Sequence, residues 1–176
     1  VAYLPVDNKG VVTADTLNRY ISDQTGLVSI MAANNEIGTI EPIKELAQIA
    51  HSHGALFHTD AVQAVGHIPI DVKELGVDML SASAHKFNGP KGIGFLYCKE
   101  GTLHPFQNGG SQESGMRAGT ENVPAIVGMA VALKKNIQEM EQNAKYLQHL
   151  TEVFFSIFGA SSIPYILNGH QQNRLP

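Results

Sequence analysis

One pattern constrains this chain more than any other. Short apolar runs recur along it, separated by amphipathic stretches of about a dozen residues. Leu27-Val28-Ser29-Ile30-Met31-Ala32 is apolar and bounded by Gly26 and Asn34-Asn35, which reads as a buried strand. After it, Ile43, Leu46, Ala47, Ile49 and Ala50 recur at helical spacing. Pro42 stands where a first helical residue would be, and Gly54 where a left-handed residue would end the helix. Ala55–Asp60, Val77–Ser83 and Gly94–Cys98 read as further strands. Strands joined by helical stretches predict crossover units, hence an α/β fold with a mostly parallel sheet and flanking helices. Asn122 and Pro124 then look like the start of one long amphipathic helix. Its apolar residues run from Ile126 to Leu150, with an end expected near Phe158-Gly159. At the amino end, Val1-Ala2-Tyr3-Leu4-Pro5 reads as strand-like.

Composition narrows the partners. Twelve Lys and Arg against sixteen Asp and Glu give a net charge of −4, so no nucleic-acid or anionic-membrane partner is expected. No window reaches the roughly 18 apolar residues of a membrane span, and the start carries no signal-peptide pattern. The expected location is cytoplasmic. Charged residues are 16% of the 176, against about 25% in an ordinary globular domain, which points to surface that expects a neighbour. The single cysteine, Cys98, excludes an internal disulfide framework, and its apolar surroundings predict a small buried hydrophobe.

Polar residues gather where the strands are expected to end. Asn34-Asn35-Glu36 follows the first of these strands, Asp60 closes the second with Gln63 three residues on, and Ser83-Ala84-His85-Lys86 follows the third. In a parallel sheet those ends lie on one edge, which is where open α/β sheets hold ligands. A partly desolvated lysine near another cation becomes nucleophilic toward carbonyls, which is Schiff-base chemistry. A buried carboxylate such as Asp60 can hold a protonated pyridine nitrogen. Gln63 and Asn35 can donate to a phenolate oxygen, and Ser83 and His85 to a phosphate. Together these are what pyridoxal phosphate requires.

Each residue alone has a plainer reading. Asp60 could cap a helix or pair with a cation, Lys86 could be a solvated loop lysine, and Asn34-Asn35 could form a turn. The histidines raise the possibility of a metal-binding domain without catalysis. His51 and His53, two apart on a helix, point to different faces, and His58 with Asp60 lacks an evident third ligand.

Four separated motifs carry a family resemblance. They are Asn34-Asn35-Glu36-Ile37-Gly38, His58-Thr59-Asp60-Ala61-Val62-Gln63, Ser83-Ala84-His85-Lys86-Phe87-Asn88-Gly89-Pro90-Lys91-Gly92 and Gly115-Met116-Arg117-Ala118-Gly119-Thr120-Glu121-Asn122. In this order and spacing the chain resembles the cysteine desulfurases of the NifS/IscS type, within the class V aminotransferase group, from about Val1 to Asn173. The resemblance implies the large domain of a fold type I enzyme that uses pyridoxal 5'-phosphate. It matches Lys86 to the lysine bonded to the cofactor, Asp60 to the carboxylate facing the pyridine nitrogen, and Gln63 to the partner of the phenolic oxygen. Asn35 matches a residue near that oxygen and the substrate carboxylate, while Ser83 and His85 match phosphate ligands. Thr120 matches a residue reaching the phosphate of the partner subunit's cofactor, so a homodimer is implied. The implied reaction takes sulfur from L-cysteine, leaving L-alanine and an enzyme persulfide for a sulfur-acceptor protein. Such sulfur serves iron–sulfur cluster or tRNA thiolation pathways.

The departures from the family pattern are as informative. Members run to about twice this length, so the chain is expected to be a fragment. It would hold part of the large domain (1–122), a long connecting helix (123–158) and the start of a small domain (159–176). Neither the loop carrying the persulfide-forming cysteine nor the arginine that binds substrate carboxylate is matched. Cys98 does not fit that cysteine, so the fragment alone is expected to be inactive. Another class V enzyme, a selenocysteine lyase or an aminotransferase, is the alternative the motifs leave open.

Overall fold

Alternation of buried and less buried side chains along each strand decides which face of the sheet is closed. In the computed structural model, which describes residues 1–176, four strands form one sheet. They are β1 (Leu27–Met31), β2 (Leu56–Asp60), β3 (Met79–Ser83) and β4 (Gly94–Cys98), in the order β1-β2-β3-β4. β1, β2 and β3 run parallel, and β4 returns antiparallel to β3. Val28, Ile30, Phe57, Leu80 and Ala82 point to one face and are buried. Against this face lies α2 (Ile43–Ser52), which buries Ile43, Leu46, Ala47 and Ala50. Leu46 and Phe57 are fully buried, so cutting either to alanine costs about 2–5 kcal/mol. The long α4 (Val123–Gly159) leans on the same core through Met129, Ala132 and Leu133.

Local chemistry sets the element ends. Gly54, at φ +76°, takes the left-handed conformation that ends α2, as its position implied. Asn122 accepts the Ala125 N–H at 3.2 Å and starts α4. Two short helices escaped the sequence reading. They are α1 (Ala14–Tyr20), capped by Thr13, and α3 (Val72–Leu75), capped by Asp71. Both are brief enough that their caps carry more signal than their periodicity.

Three expectations change. Val1–Pro5 forms no strand; Val1 and Tyr3 are exposed and the run has no partner to pair with. Pro42 stands one place before the first helical residue, Ile43. Cys98 is half-buried, not buried, because β4 is an edge strand with one flank open.

Glu41 is the buried carboxylate that stands out. It is 7% exposed, and its Oε2 accepts the Val12 N–H at 2.8 Å. Burial pushes its pKa up to about 7 against that hydrogen bond, and the nearby Asp7 charge adds to the rise. A carboxyl whose folded pKa exceeds its ordinary 4.5 stabilises the fold below that value and loses the contribution as pH climbs to about 7. Wild type is therefore expected to lose stability relative to Glu41→Gln across that window, by up to about 3 kcal/mol. Thermal unfolding at a series of pH values checks this. Parallel curves for the two proteins would contradict it.

Candidate functional site

The register of the parallel strands brings their carboxyl ends to one edge. Met31 lies opposite Asp60, and Asp60 opposite Ser81, so β3 projects two residues beyond its neighbours. Beyond β1, Asn34 accepts the N–H groups of Glu36 and Ile37 at 2.8 and 3.0 Å. The Asn34 side chain thus holds the turn, and Asn35, within that turn, is exposed. At the end of β2, Asp60 is half-buried and its Oδ1 accepts the Val62 N–H at 2.9 Å. That short bond opens the bend on which the half-buried Gln63 sits, and it leaves Oδ2 of Asp60 without a protein partner.

β3 runs directly into a single 3-10 turn, Ala84–Phe87, which carries His85 and Lys86. The Ser83 hydroxyl and His85 Nδ1 are 2.8 Å apart, so this pair is already assembled. Lys86 is half-buried. Asn88 closes the turn at φ 65°, and the Gly89 N–H donates to the Ala84 carbonyl at 2.8 Å. A Cβ at position 89 would lie 2.9 Å from that same carbonyl oxygen, so the close return requires glycine. Thr120 is exposed in the loop before α4.

The face opposite the core belongs to the site as well. His58, two residues before Asp60 and on the same side of β2, is held between two serines. Its Nδ1 is 2.8 Å from Ser29 Oγ and its Nε2 is 3.1 Å from Ser81 Oγ. Burial lowers the His58 pKa, and the Asp60 charge opposes that shift. A neutral imidazole donates to one serine and accepts from the other, so both hydroxyls are satisfied. Cys98 is on this face too, but opposite Met79, whereas Ser83 lies opposite Gly94. Four residues of strand separate those positions, about 13 Å at 3.3 Å per residue. Cys98 is therefore at the far end of the sheet from Lys86.

His51 and His53 have local partners. His51 Nε2 pairs with Asp78 Oδ2 at 2.8 Å, and His53 Nδ1 lies 3.1 Å from the Ile49 carbonyl. No three His, Cys, Asp or Glu side chains converge in a way that would hold a metal. The polar groups at the strand ends instead suit a flat ring bearing an aldehyde and a phosphate: a carboxylate with one oxygen unused, an amide three residues on, a hydroxyl–imidazole pair and an amine. Ser29 and Ser81, which fix His58, were not singled out from the sequence. Small hydroxyls alternating with apolar residues on neighbouring strands were the available signal. Asn136 was missed as well, although it interrupts the apolar face of α4 between Leu133 and Met140.

Comparison with known proteins agrees with this fold. The family model described as aminotransferase class-V matches residues 1–175. Cysteine desulfurase IscS of Dictyoglomus turgidum is 53% identical over 177 aligned residues, covering 100% of this chain and 45% of that protein. A solved NifS-like protein superposes with a TM-score of 0.86 at 44% identity, over 90% of this chain and 44% of its own. The structure described as SspA in complex with cysteine gives 0.73 at 42% identity, over 76% and 39%. The chain thus spans about half the length of the relatives it matches, and the mixed four-stranded sheet with flanking helices is that of NifS-like proteins of fold type I.

His58 offers a direct check on the electrostatics of this edge. An NMR titration is expected to place its midpoint below the ordinary 6.5. Asp60→Asn removes the charge that opposes the shift, so the midpoint moves lower still. A midpoint at or above 6.5 would show that burial does not dominate, and a rise in the variant would show that the Asp60 charge does not support the protonated ring.

Proposed function

The chain belongs to the class V aminotransferase family, and from that premise we propose that it supplies the pyridoxal 5'-phosphate site of a cysteine desulfurase. One observation carries the reading: the parallel strands β2 and β3 deliver Asp60, the Ser83–His85 pair and Lys86 to a single edge. When bound there, the cofactor supplies a ring that withdraws electrons from the α-carbon of an attached amino acid.

The chain's own residues then divide the work. Lys86 provides the amine that holds the aldehyde carbon. The unused oxygen of Asp60 keeps a proton on the pyridine nitrogen, which maintains the ring's electron demand. His58, held by Ser29 and Ser81, lies two residues before Asp60 on the same face of β2, and burial favours its neutral ring. Gln63 donates to the phenolic oxygen, with Asn35 near that oxygen and the substrate carboxylate. Ser83 and His85 take the phosphate, their mutual bond having fixed both side chains in advance.

L-cysteine is the proposed substrate of the whole protein, supported by the relatives named cysteine desulfurase and by the neighbour described in complex with cysteine. Cysteine and an enzyme thiol give alanine and a persulfide, a transfer needing no outside oxidant, and the sulfur passes on to an acceptor protein. Cys98, at the wrong end of the sheet, is not that thiol. The exposed Thr120 suits a residue that serves the phosphate site of a second subunit in a homodimer.

Adding pyridoxal phosphate to the protein is expected to produce a visible absorption band. Lys86→Ala loses the band, Asp60→Asn weakens and shifts it, and Cys98→Ala leaves it unchanged. An undiminished band in Lys86→Ala would place the cofactor elsewhere.

A further inference from the structure

Two successive carbonyls of the turn that carries Lys86 are held from outside the turn. His67 Nε2 lies 2.8 Å from the Lys86 oxygen, and Asn136 Nδ2 lies 2.7 Å from the Phe87 oxygen. A carbonyl only accepts, so His67 must carry its proton on Nε2. Asn136 has no freedom either. Its second amide hydrogen goes to the Ala132 carbonyl at 2.9 Å, and its Oδ1 accepts from Asn88 Nδ2 at 3.2 Å. Turning the amide over would set its oxygen against two carbonyl oxygens. At 7% exposure this is the one buried residue of α4. A polar side chain at such a position is costly unless fully bonded.

The surrounding backbone is packed to suit these bonds. Gly66 sits at φ +83°, and a Cβ there would lie 2.9 Å from Phe87 Cβ and 3.4 Å from Asn136 Cβ. Eight residues before Asn136, a Cβ at Gly128 would lie 2.8 Å from Pro90 Cγ. α4 therefore crosses the lysine turn at two close points, and only one of them is polar. A 3-10 turn of four residues has few hydrogen bonds of its own, so ties from the His67 bend and from α4 decide where it stands.

We propose that His67 and Asn136 are positioning residues, which clamp the Lys86–Phe87 backbone so that the Lys86 amine is presented to the edge formed by β1, β2 and β3. The proposal rests on Lys86 being the cofactor lysine. His67 arrives on the bend that begins at Asp60, and Asn136 arrives from α4. The clamp thus ties the carboxylate segment, the lysine turn and the long helix into one unit. Misplacing a reacting group by about 1 Å can cost up to about a hundredfold in rate, so loss of either tie acts on the reactivity of the amine.

The test needs no catalytic turnover. The protein is mixed with pyridoxal phosphate over a range of pH, reduced with borohydride at timed intervals, and its labelled lysines are mapped by mass spectrometry. Wild type is expected to be labelled first at Lys86. His67→Phe and Asn136→Leu, checked for folding by circular dichroism, are expected to label Lys86 about tenfold more slowly, with a displaced pH profile. His67→Gln, which keeps an N–H able to reach the carbonyl, restores both. If Asn136→Leu does not fold, His67→Phe and His67→Gln carry the comparison alone. Folded variants that label Lys86 at the wild-type rate with the wild-type pH profile would overturn the clamp. Indiscriminate labelling of the wild-type lysines would overturn the cofactor reading of Lys86 and the clamp with it.

Discussion

Three strands that run in the same direction, with their ends held in register by the ladder, are the constraint that the rest of this chain inherits. Met31 opposite Asp60 and Asp60 opposite Ser81 set the levels of the three exits. β3 overshoots by two residues, about 7 Å, so the lysine turn rises above the edge on which Asp60 lies. Parallel pairing also requires a crossover between each pair of strands, and crossovers of one hand return on the same side of the sheet. The α2 crossover fills the core face, which leaves the opposite face for His58, Asp60, Ser81 and Ser83.

The two faces hold by different physics. On the core face, Phe57, Leu80, Leu46 and Ala47 exclude water, and the stabilisation comes from buried apolar area. On the other face, polar side chains are matched to one another: Ser29 and Ser81 to His58, and Ser83 to His85. Leu27 and Leu96 share that second face and remain 52% and 51% exposed. Parallel sheets are ordinarily covered on both sides, so these leucines account for part of the low charge content noted from composition.

Much of this arrangement was legible in the sequence because it rests on local signals. The strands, the Gly54 stop, the Asn122 cap and the placement of polar residues after apolar runs all express short-range chemistry. The antiparallel return of β4 was not legible, since a short apolar run reads alike in either direction. Nor was the separate behaviour of Asn34 and Asn35, where one side chain holds the turn and the other, within it, is exposed. Apolar neighbours in sequence predict a buried Cys98, but burial in a sheet depends on what covers the strand's flank, and β4 is an edge strand. The ties of His67 and Asn136 to the lysine turn span 19 and 49 residues, and no pattern of spacing announces contacts of that range. A lone asparagine on an apolar helix face was the only trace.

The account stands on Asp60 and Lys86 acting on one bound ring. The most direct measurement is the 15N NMR shift of the ring nitrogen in pyridoxal phosphate labelled at that atom and bound to the protein. A shift typical of a protonated pyridine nitrogen, moving to the unprotonated value in Asp60→Asn, is the predicted result. A nitrogen unprotonated in the wild type, or one indifferent to Asp60→Asn, would contradict the convergence of the three strand ends on a single site.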